Sequence, residues 1–266
     1  MKEDLLMPTN IEWTNETWNP VTGCTKISTG CRNCYAERMA RRLAGRCGYP
    51  EAPNHFDITL HKDRLYQPLK WRKPRIIFVC SMGDLFHEDV PADYIVNIFE
   101  VMSAAKQHTF QVLTKRPQRM LDVLYGKEGN YYLGGGDFIP NIWLGVTTEN
   151  QDTANERIPL LLQTDAFVHF VSVEPMLGEI DLRYWLPKHE KFLNLPEFIP
   201  EVIDLLDWVI CGGETGPGAR EMKAEWAQDL CRQCLDADVP FFFKKPGNGF
   251  TGNTDELPAV REWPDV

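Results

Sequence analysis

The residues best suited to chemistry lie close together in Cys24-Thr-Lys-Ile-Ser-Thr-Gly-Cys31-Arg-Asn-Cys34. Cys31 and Cys34 fall three apart at the start of a helical pattern in which Ala36, Met39, Ala40 and Leu43 share one face. That spacing turns both sulfurs toward one point, and the positive end of the helix favours thiolates and an anionic cluster. Gly23 and Gly30 let the six-residue connection curl so that Cys24 joins them. Three thiolates with no fourth cysteine or histidine nearby leave one metal position open. A structural zinc site wants four protein ligands, the fourth here being His55, His61 or a distant cysteine. An electron-transfer cluster also wants four cysteines, whereas an iron–sulfur cluster with one labile iron fits three.

Elements must hold that loop in place. A recurring pattern of short apolar runs followed by helical segments supplies them. The runs are residues 75–84, 110–116, 142–149, 168–174, 208–214 and 239–245, each ending in small, polar or charged residues. Runs this apolar suit strands buried on both faces, as in a parallel sheet. Residues 92–106, 116–125, 151–163 and 224–237 read as helices between them. With a first strand near residues 18–22, the pattern predicts an α/β fold, a partial or nearly closed (β/α) barrel of six to seven parallel strands. Ligand sites in such folds lie at the carboxyl ends of the strands. Asp84, Lys115, Glu149, Glu174, Glu214 and Lys244 all stand there and form the expected pocket rim.

The whole chain, 1–266, reads as a single barrel-like domain with insertions at 126–140 and 178–207 and a C-terminal tail, 246–266, that folds back or stays mobile. Cys231-Arg-Gln-Cys234 has the spacing for a second metal, but it sits inside a predicted helix, where cysteines at that spacing are more often core-facing thiols unless partners come from elsewhere. Cys47, Cys80 and Cys211 read as core or pocket-wall thiols.

The 266 residues are 43% apolar, enough for a core, and no run approaches the roughly 20 apolar residues that cross a bilayer. The acidic N-terminus predicts no signal peptide, so a reducing cytoplasm is expected, and eight cysteines there are thiols or metal ligands rather than disulfides. The net charge of −10 is uneven: residues 1–130 hold 18 basic and 15 acidic side chains, residues 131–266 hold 10 and 23. Around the cysteines Lys26, Arg32, Arg38, Arg41, Arg42 and Arg46 face only Glu37. Such a patch meets phosphates or is a solvated helix face, and the acidity of the whole chain argues against strong nonspecific binding of nucleic acid.

Gly30-Cys31-Arg-Asn-Cys34-Tyr-Ala36 resembles the cluster loop of radical S-adenosylmethionine enzymes, which joins the first barrel strand to the first helix. The usual spacing there is three residues then two. This chain has six then two, and has Asn33, not an aromatic residue, before the last cysteine. Over nearly its whole length the chain also resembles an uncharacterised phage and prophage protein family with a three-cysteine motif. The resembling segments are Ile11-Glu-Trp-Thr14, Trp18-Asn-Pro-Val-Thr-Gly-Cys24, Ser81-Met-Gly-Asp-Leu-Phe-His87, Leu113-Thr-Lys-Arg-Pro117 and Cys211-Gly-Gly-Glu-Thr-Gly-Pro-Gly-Ala-Arg220.

The radical-enzyme resemblance implies a 4Fe–4S cluster on Cys24, Cys31 and Cys34, with S-adenosylmethionine on the open iron and an external electron donor. It implies that Ser81 and Asp84 hold the methionyl amine or ribose, and that Gly212 and Gly213 admit the adenosyl moiety. Asp84, Glu174, Glu214 and Lys115, with Arg116, become the candidate catalytic groups that meet adenosyl group or substrate. The substrate expected from the basic patch and the phage association is a nucleotide or nucleic acid. The alternative is a non-catalytic binding or accessory protein stabilised by zinc or iron–sulfur.

Overall fold

The computed structural model describes residue 9 and residues 11–126, 139–187 and 205–265. The chain runs β1 (Glu16–Trp18), β2 (Val21–Thr22), α1 (Tyr35–Leu43), β3 (Thr59–Leu60), β4 (Ile76–Val79), α2 (Ala92–Ala104), β5 (Thr109–Thr114) and α3 (Pro117–Leu124). It continues through β6 (Ile142–Thr147), α4 (Gln151–Leu161), β7 (His169–Val173), β8 (Trp208–Cys211), α5 (Ala224–Asp236) and β9 (Phe241–Phe243). Seven strands form one sheet in the order β1-β4-β5-β6-β7-β8-β9, every neighbour parallel. The sheet curls into a half-barrel, the α/β partial barrel expected from the alternation of runs and helices. No helix among the described residues is long and apolar enough to cross a membrane.

The strands form where both faces find apolar cover. Every residue of β6, β7, β8 and β9 is buried, which is why these segments read as continuous apolar runs rather than alternating ones. Val112, Leu144, Val146, Val171, Val173 and Val209 pack outward against the helices. The concave face carries Trp143, Phe170, Trp208 and Phe242, closed below by Trp13. Gly145 has a packing reason: an added Cβ would lie 2.6 Å from the Phe170 ring. Truncating one of these rings would cost about 3–5 kcal/mol.

The first strand differs from expectation. Pairing with β4 is made by Glu16–Trp18, in register Glu16 to Ile77. Pro20 has no N–H to offer a ladder, and the Asn19 side chain caps the next strand end by accepting from Met82 N (2.9 Å). Val21–Thr22 then leaves the sheet to pair with Thr59–Leu60 in a small antiparallel ribbon.

The described part of the tail folds back. Phe243 N donates to Val260 O (2.9 Å) and Glu262 N to Phe241 O (3.0 Å), while Trp208 Nε1 donates to Glu262 O (2.8 Å). Trp263 Nε1 donates to Trp13 O and Arg261 pairs with Glu12, so the segments 12–13 and 261–263 meet beside this face. Most of the proposed insertions, residues 127–138 and 188–204, lies outside the described residues.

Candidate functional site

The cysteine loop leaves the sheet after the β1–β2 step and is fastened at both ends. Gly23 N donates to Met82 O (3.0 Å), making a parallel bridge with Gly83. Gly23 has φ +92°, and an added Cβ would sit 2.2 Å from Asp57 O, so only glycine fits. Mid-loop, the Ser28 hydroxyl donates to Glu149 Oε1 (2.7 Å) and lies 3.6 Å from Cys31 Sγ. Gly30 rests on the same carboxylate, where a Cβ would come within 2.3 Å of Oε1. Asn33 Nδ2 donates to Glu214 Oε2 (2.9 Å) and Gly218 O (2.8 Å), and Arg38 Nη2 to Thr215 O (2.7 Å). Cys34 is the first residue before α1, with its thiol making no capping bond.

The loop is therefore moored to the ends of β4, β5, β6 and β8. All three cysteines are free thiols of intermediate exposure. Their environments differ. Burial, then the Asp84 charge, pushes the Cys24 thiol up to about 12 against the pull of Arg116. Burial opposes ionisation of Cys31 too, but the Ile27 backbone, the Ser28 hydroxyl and Lys115 together hold it below the usual thiol value.

Arg116 is the organising side chain. Its Nη1 donates to Cys24 Sγ (3.4 Å) and Asp84 Oδ2 (3.2 Å), Nη2 to Thr25 O (3.2 Å) and Thr25 Oγ1 (2.9 Å), and Nε to Glu88. Asp84 has both oxygens engaged: Thr114 Oγ1 (2.7 Å) and Phe86 N (3.0 Å) on Oδ1, Lys115 N (3.2 Å) and Arg116 on Oδ2. Asp84 thus serves the loop through Arg116, as a strut. His87 completes the clamp. Its Nδ1 accepts from Asp89 N (3.1 Å), so Nε2 carries the proton and donates to Thr25 Oγ1 (2.8 Å). Burial and the neighbouring Arg116 lower its basicity, keeping it neutral near pH 7.

The remaining rim residues pair off. Glu149 is fully buried and takes Lys115 Nζ (3.2 Å) and Arg157 Nη1 (3.2 Å). Burial pushes its carboxyl up, yet Lys115, Arg157 and Ser28 together hold it below the usual range. A cap positions it: Thr153 Oγ1 accepts from Glu149 N (2.9 Å), and Asn150 Oδ1 accepts from Thr153 N (3.0 Å) at the start of α4. Glu214 binds Arg220 N (2.8 Å), Nε (2.9 Å) and Nη2 (2.6 Å). Burial opposes ionisation, but the Arg220 bonds and Asn33 bring its pKa to about 2.

Glu174 pairs with Lys244 Nζ (2.7 Å) beside Gly212, where an added Cβ would be in ordinary contact with both side chains. Gly213 is different: its Cβ direction is filled by Pro246 O at 1.7 Å, so the chain's own backbone already uses that glycine. Ser81 exchanges hydrogen bonds with Asn19 (3.2 and 3.3 Å) at the end of β4. The structure thus gathers Cys24, Cys31, Asp84 and Lys115 around the loop and sets Glu174, Lys244 and Gly212 together on the β7–β9 side. Arg116 was legible as part of Leu113-Thr-Lys-Arg-Pro117, but its contact with Cys24, across the sheet from β5, had no local signal.

Among the described residues no three Cys, His, Asp or Glu side chains close in tightly enough to hold a single ion. His61, the candidate fourth zinc ligand, has its Nε2 engaged with Thr22 Oγ1 at 2.8 Å. A cluster asks for less convergence than one tetrahedral ion, because each thiolate binds its own iron. Arg116 at Cys24 and Lys115 near Cys31 give two of the three thiols the cationic surroundings that suit an anionic iron–sulfur group.

The model of one protein family, described as protein of unknown function (DUF5131), matches residues 8–258. No curated protein and no solved structure matches the chain. The chain belongs to DUF5131.

Proposed function

For this member of DUF5131 we propose an iron–sulfur enzyme of the radical S-adenosylmethionine type, with Cys24, Cys31 and Cys34 as the cluster ligands. The observation that carries the proposal is the placement of the three-thiol loop: it is moored at the carboxyl ends of a parallel half-barrel's strands, with Arg116 and Lys115 beside it. A 4Fe–4S cluster bound there, with S-adenosylmethionine on its open iron, supplies one-electron cleavage of the sulfonium and a radical that abstracts hydrogen from substrate.

The chain's own residues then have definite tasks. Ser28 and Lys115 favour the Cys31 thiolate, and Arg116 offsets charge at Cys24 while fixing the Thr25 turn. Asp84 and His87 orient Arg116 and Thr25 rather than meeting the reacting atoms. Glu174 and Lys244, packed over Gly212, offer a polar wall for the adenosyl group or the substrate. Lys115 is placed to meet a substrate anion beside the loop, its ammonium tethered by the buried Glu149. The phage or prophage origin implied by the resemblance belongs to the same reading, as do a reducing compartment and a one-electron donor.

The test is anaerobic reconstitution with iron and sulfide, followed by dithionite and S-adenosylmethionine. The expected products are methionine and 5′-deoxyadenosine, quantified by mass spectrometry. A fully loaded cluster that yields no 5′-deoxyadenosine overturns the radical reading. Stoichiometric zinc with no brown chromophore, in protein purified without oxygen, overturns the cluster reading and supports a metal-stabilised accessory protein.

A further inference from the structure

The loop that carries the three cysteines also begins the most cationic stretch of an acidic chain: Lys26, Arg32, Arg38, Arg41, Arg42 and Arg46 against Glu37, where the whole protein is −10. The structure separates those charges into used and unused. Lys26 pairs with Glu37 at 2.9 Å. Arg38 is spent on Thr215 O and lies over Gly216, where an added Cβ would come within 2.5 Å of its guanidinium. Arg32, Arg41, Arg42 and Arg46 are all exposed, and within the described residues none of their guanidinium groups has a hydrogen-bond or ion-pair partner.

The carboxylates nearby do not neutralise them. Glu149 is held by Lys115 and Arg157, Glu214 by Arg220, Asp84 by Arg116, and Glu37 by Lys26. Glu51 lies against Gly45, next to Arg46. Two side chains add apolar surface: Tyr35 is 53% exposed and Ile27 45% exposed. Tyr35, Arg38 and Arg42 fall at i, i+3 and i+7 of α1 and so share a face.

We infer that the exposed surface around α1 binds single-stranded nucleic acid, with phosphates on Arg32, Arg41, Arg42 and Arg46 as the strand winds past and a base stacked on Tyr35. Guanidinium forks suit phosphate oxygens, and an exposed aromatic ring stacks bases of any sequence. The net charge of −10 disfavours a polyanion over the chain as a whole, so binding must come from this local cationic stretch. A strand lying along α1 passes the cysteine loop, and a base within a duplex would be out of reach of that loop unless extruded. The inference deepens the proposed function by naming its substrate class, and only the placing of a reacting base at the loop rests on that reading. Binding itself needs no turnover.

The experiment measures anisotropy of a fluorescein-labelled oligothymidine strand against the purified full chain from 50 to 300 mM salt, without reductant or S-adenosylmethionine. Each phosphate neutralised on a single strand contributes a slope of about −0.7 in log affinity against log salt, so four arginines predict a slope of about −3. The double variant Arg41→Glu with Arg42→Glu should bind at least tenfold more weakly, with about half that slope. The milder Arg42→Gln, exposed and unpaired, should fold as the parent does and lose several-fold in affinity. Tyr35→Ala should weaken binding several-fold and leave the slope unchanged, since stacking releases no counterions.

An oligouridine strand binding as tightly or more tightly supports the same face with RNA as the ligand. No binding at 50 mM salt, or arginine variants that bind like the parent, overturns the inference. Polyglutamate bound as tightly as oligothymidine, with Tyr35→Ala silent, overturns it in favour of an acidic protein partner. Because the measurement uses neither cluster chemistry nor turnover, its failure is separable from a failure to form 5′-deoxyadenosine.

Discussion

Cys31-Arg-Asn-Cys34 and Cys231-Arg-Gln-Cys234 share a spacing and an arginine, and both pairs belong to helix-forming stretches. The first pair sits where α1 begins, half-exposed, with Ser28, Lys115 and Asn33 tying its loop to strand ends. The second sits in the middle of α5, turned into the core, where Cys234 adjoins Cys231 and Cys211 and the Cys211 thiol lies 3.6 Å from Met176 Sδ. Their acidities diverge accordingly. Local hydrogen bonds and a lysine hold Cys31 below the usual thiol value, while burial lifts Cys211 and Cys234 well above it. A Cys-x-x-Cys pair becomes a ligand set when the chain supplies donors and cations to the sulfurs, and a pair of small apolar residues when it supplies only carbon.

The largest expected difference lies in metal content. Cys31→Ala should abolish the brown chromophore of reconstituted protein and take iron from about four per chain to near zero. Cys231→Ala should leave iron and spectrum unchanged. Equal iron loss in both variants would erase the distinction between the two pairs.

Next comes the clamp. Arg116→Gln removes the guanidinium from a buried carboxylate, leaving Asp84 without its cation and the Thr25 carbonyl and Cys24 Sγ without the donor they share. Removing one partner of a buried ion pair costs about 3–5 kcal/mol, which for a chain of this size lowers Tm by roughly 10 °C. Among the described residues no charged side chain bonds to Cys231 or Cys234, so the second pair has no ion-pair clamp of this kind. A Tm unchanged within a degree would mean that Arg116 does not hold the loop.

A smaller effect separates the two regions by pH. The folded pKa of Glu214, about 2, is depressed below the unfolded value of a glutamate. Its stabilising contribution is therefore present at neutral pH and is lost as pH falls from about 4.5 toward 2. The loss amounts to roughly 2–3 kcal/mol. Because Glu214 holds Asn33, acid should loosen the cysteine loop before it affects α5. Unfolding followed from pH 6 to 3 checks this, and Glu214→Gln should flatten the acid limb. An acid limb identical in the variant would exclude Glu214 as its source.

How much of this was legible depends on whether the signal was local. The strands after β3 announce themselves because burial on both faces leaves apolar runs, as in Trp208-Val-Ile-Cys211. The helices follow from periodicity, and α5 was readable together with the inward turn of Cys231 and Cys234. The first strand was misplaced by a few residues because Pro20 and the Asn19 side chain, rather than the apolar pattern, end it. At the site, the loop and the strand-end acids could be found from position alone. Their pairings could not: Asp84 looks like a free acid in sequence, and only the approach of Thr114 and Arg116 makes it a strut. Gly213 likewise reads as room for a ligand until Pro246 is found over it.

The finest test of the comparison is the sign of a small difference at Cys234. Its thiol is fully buried among apolar groups. Alanine there removes one sulfur and leaves a small void, a cost of about 1 kcal/mol. Serine fills the space but buries a hydroxyl, and without a good acceptor that costs about 1–3 kcal/mol. Serine should therefore be the worse substitution, by about 1 kcal/mol in urea unfolding. If the α5 pair were a ligand set, the order would reverse, since serine keeps a donor atom and alanine keeps none. At Cys24 or Cys31 the comparison should be read in iron retained rather than stability, and there serine should be no worse than alanine. Opposite orders at the two pairs would establish that environment, and not spacing, decides which cysteines bind metal.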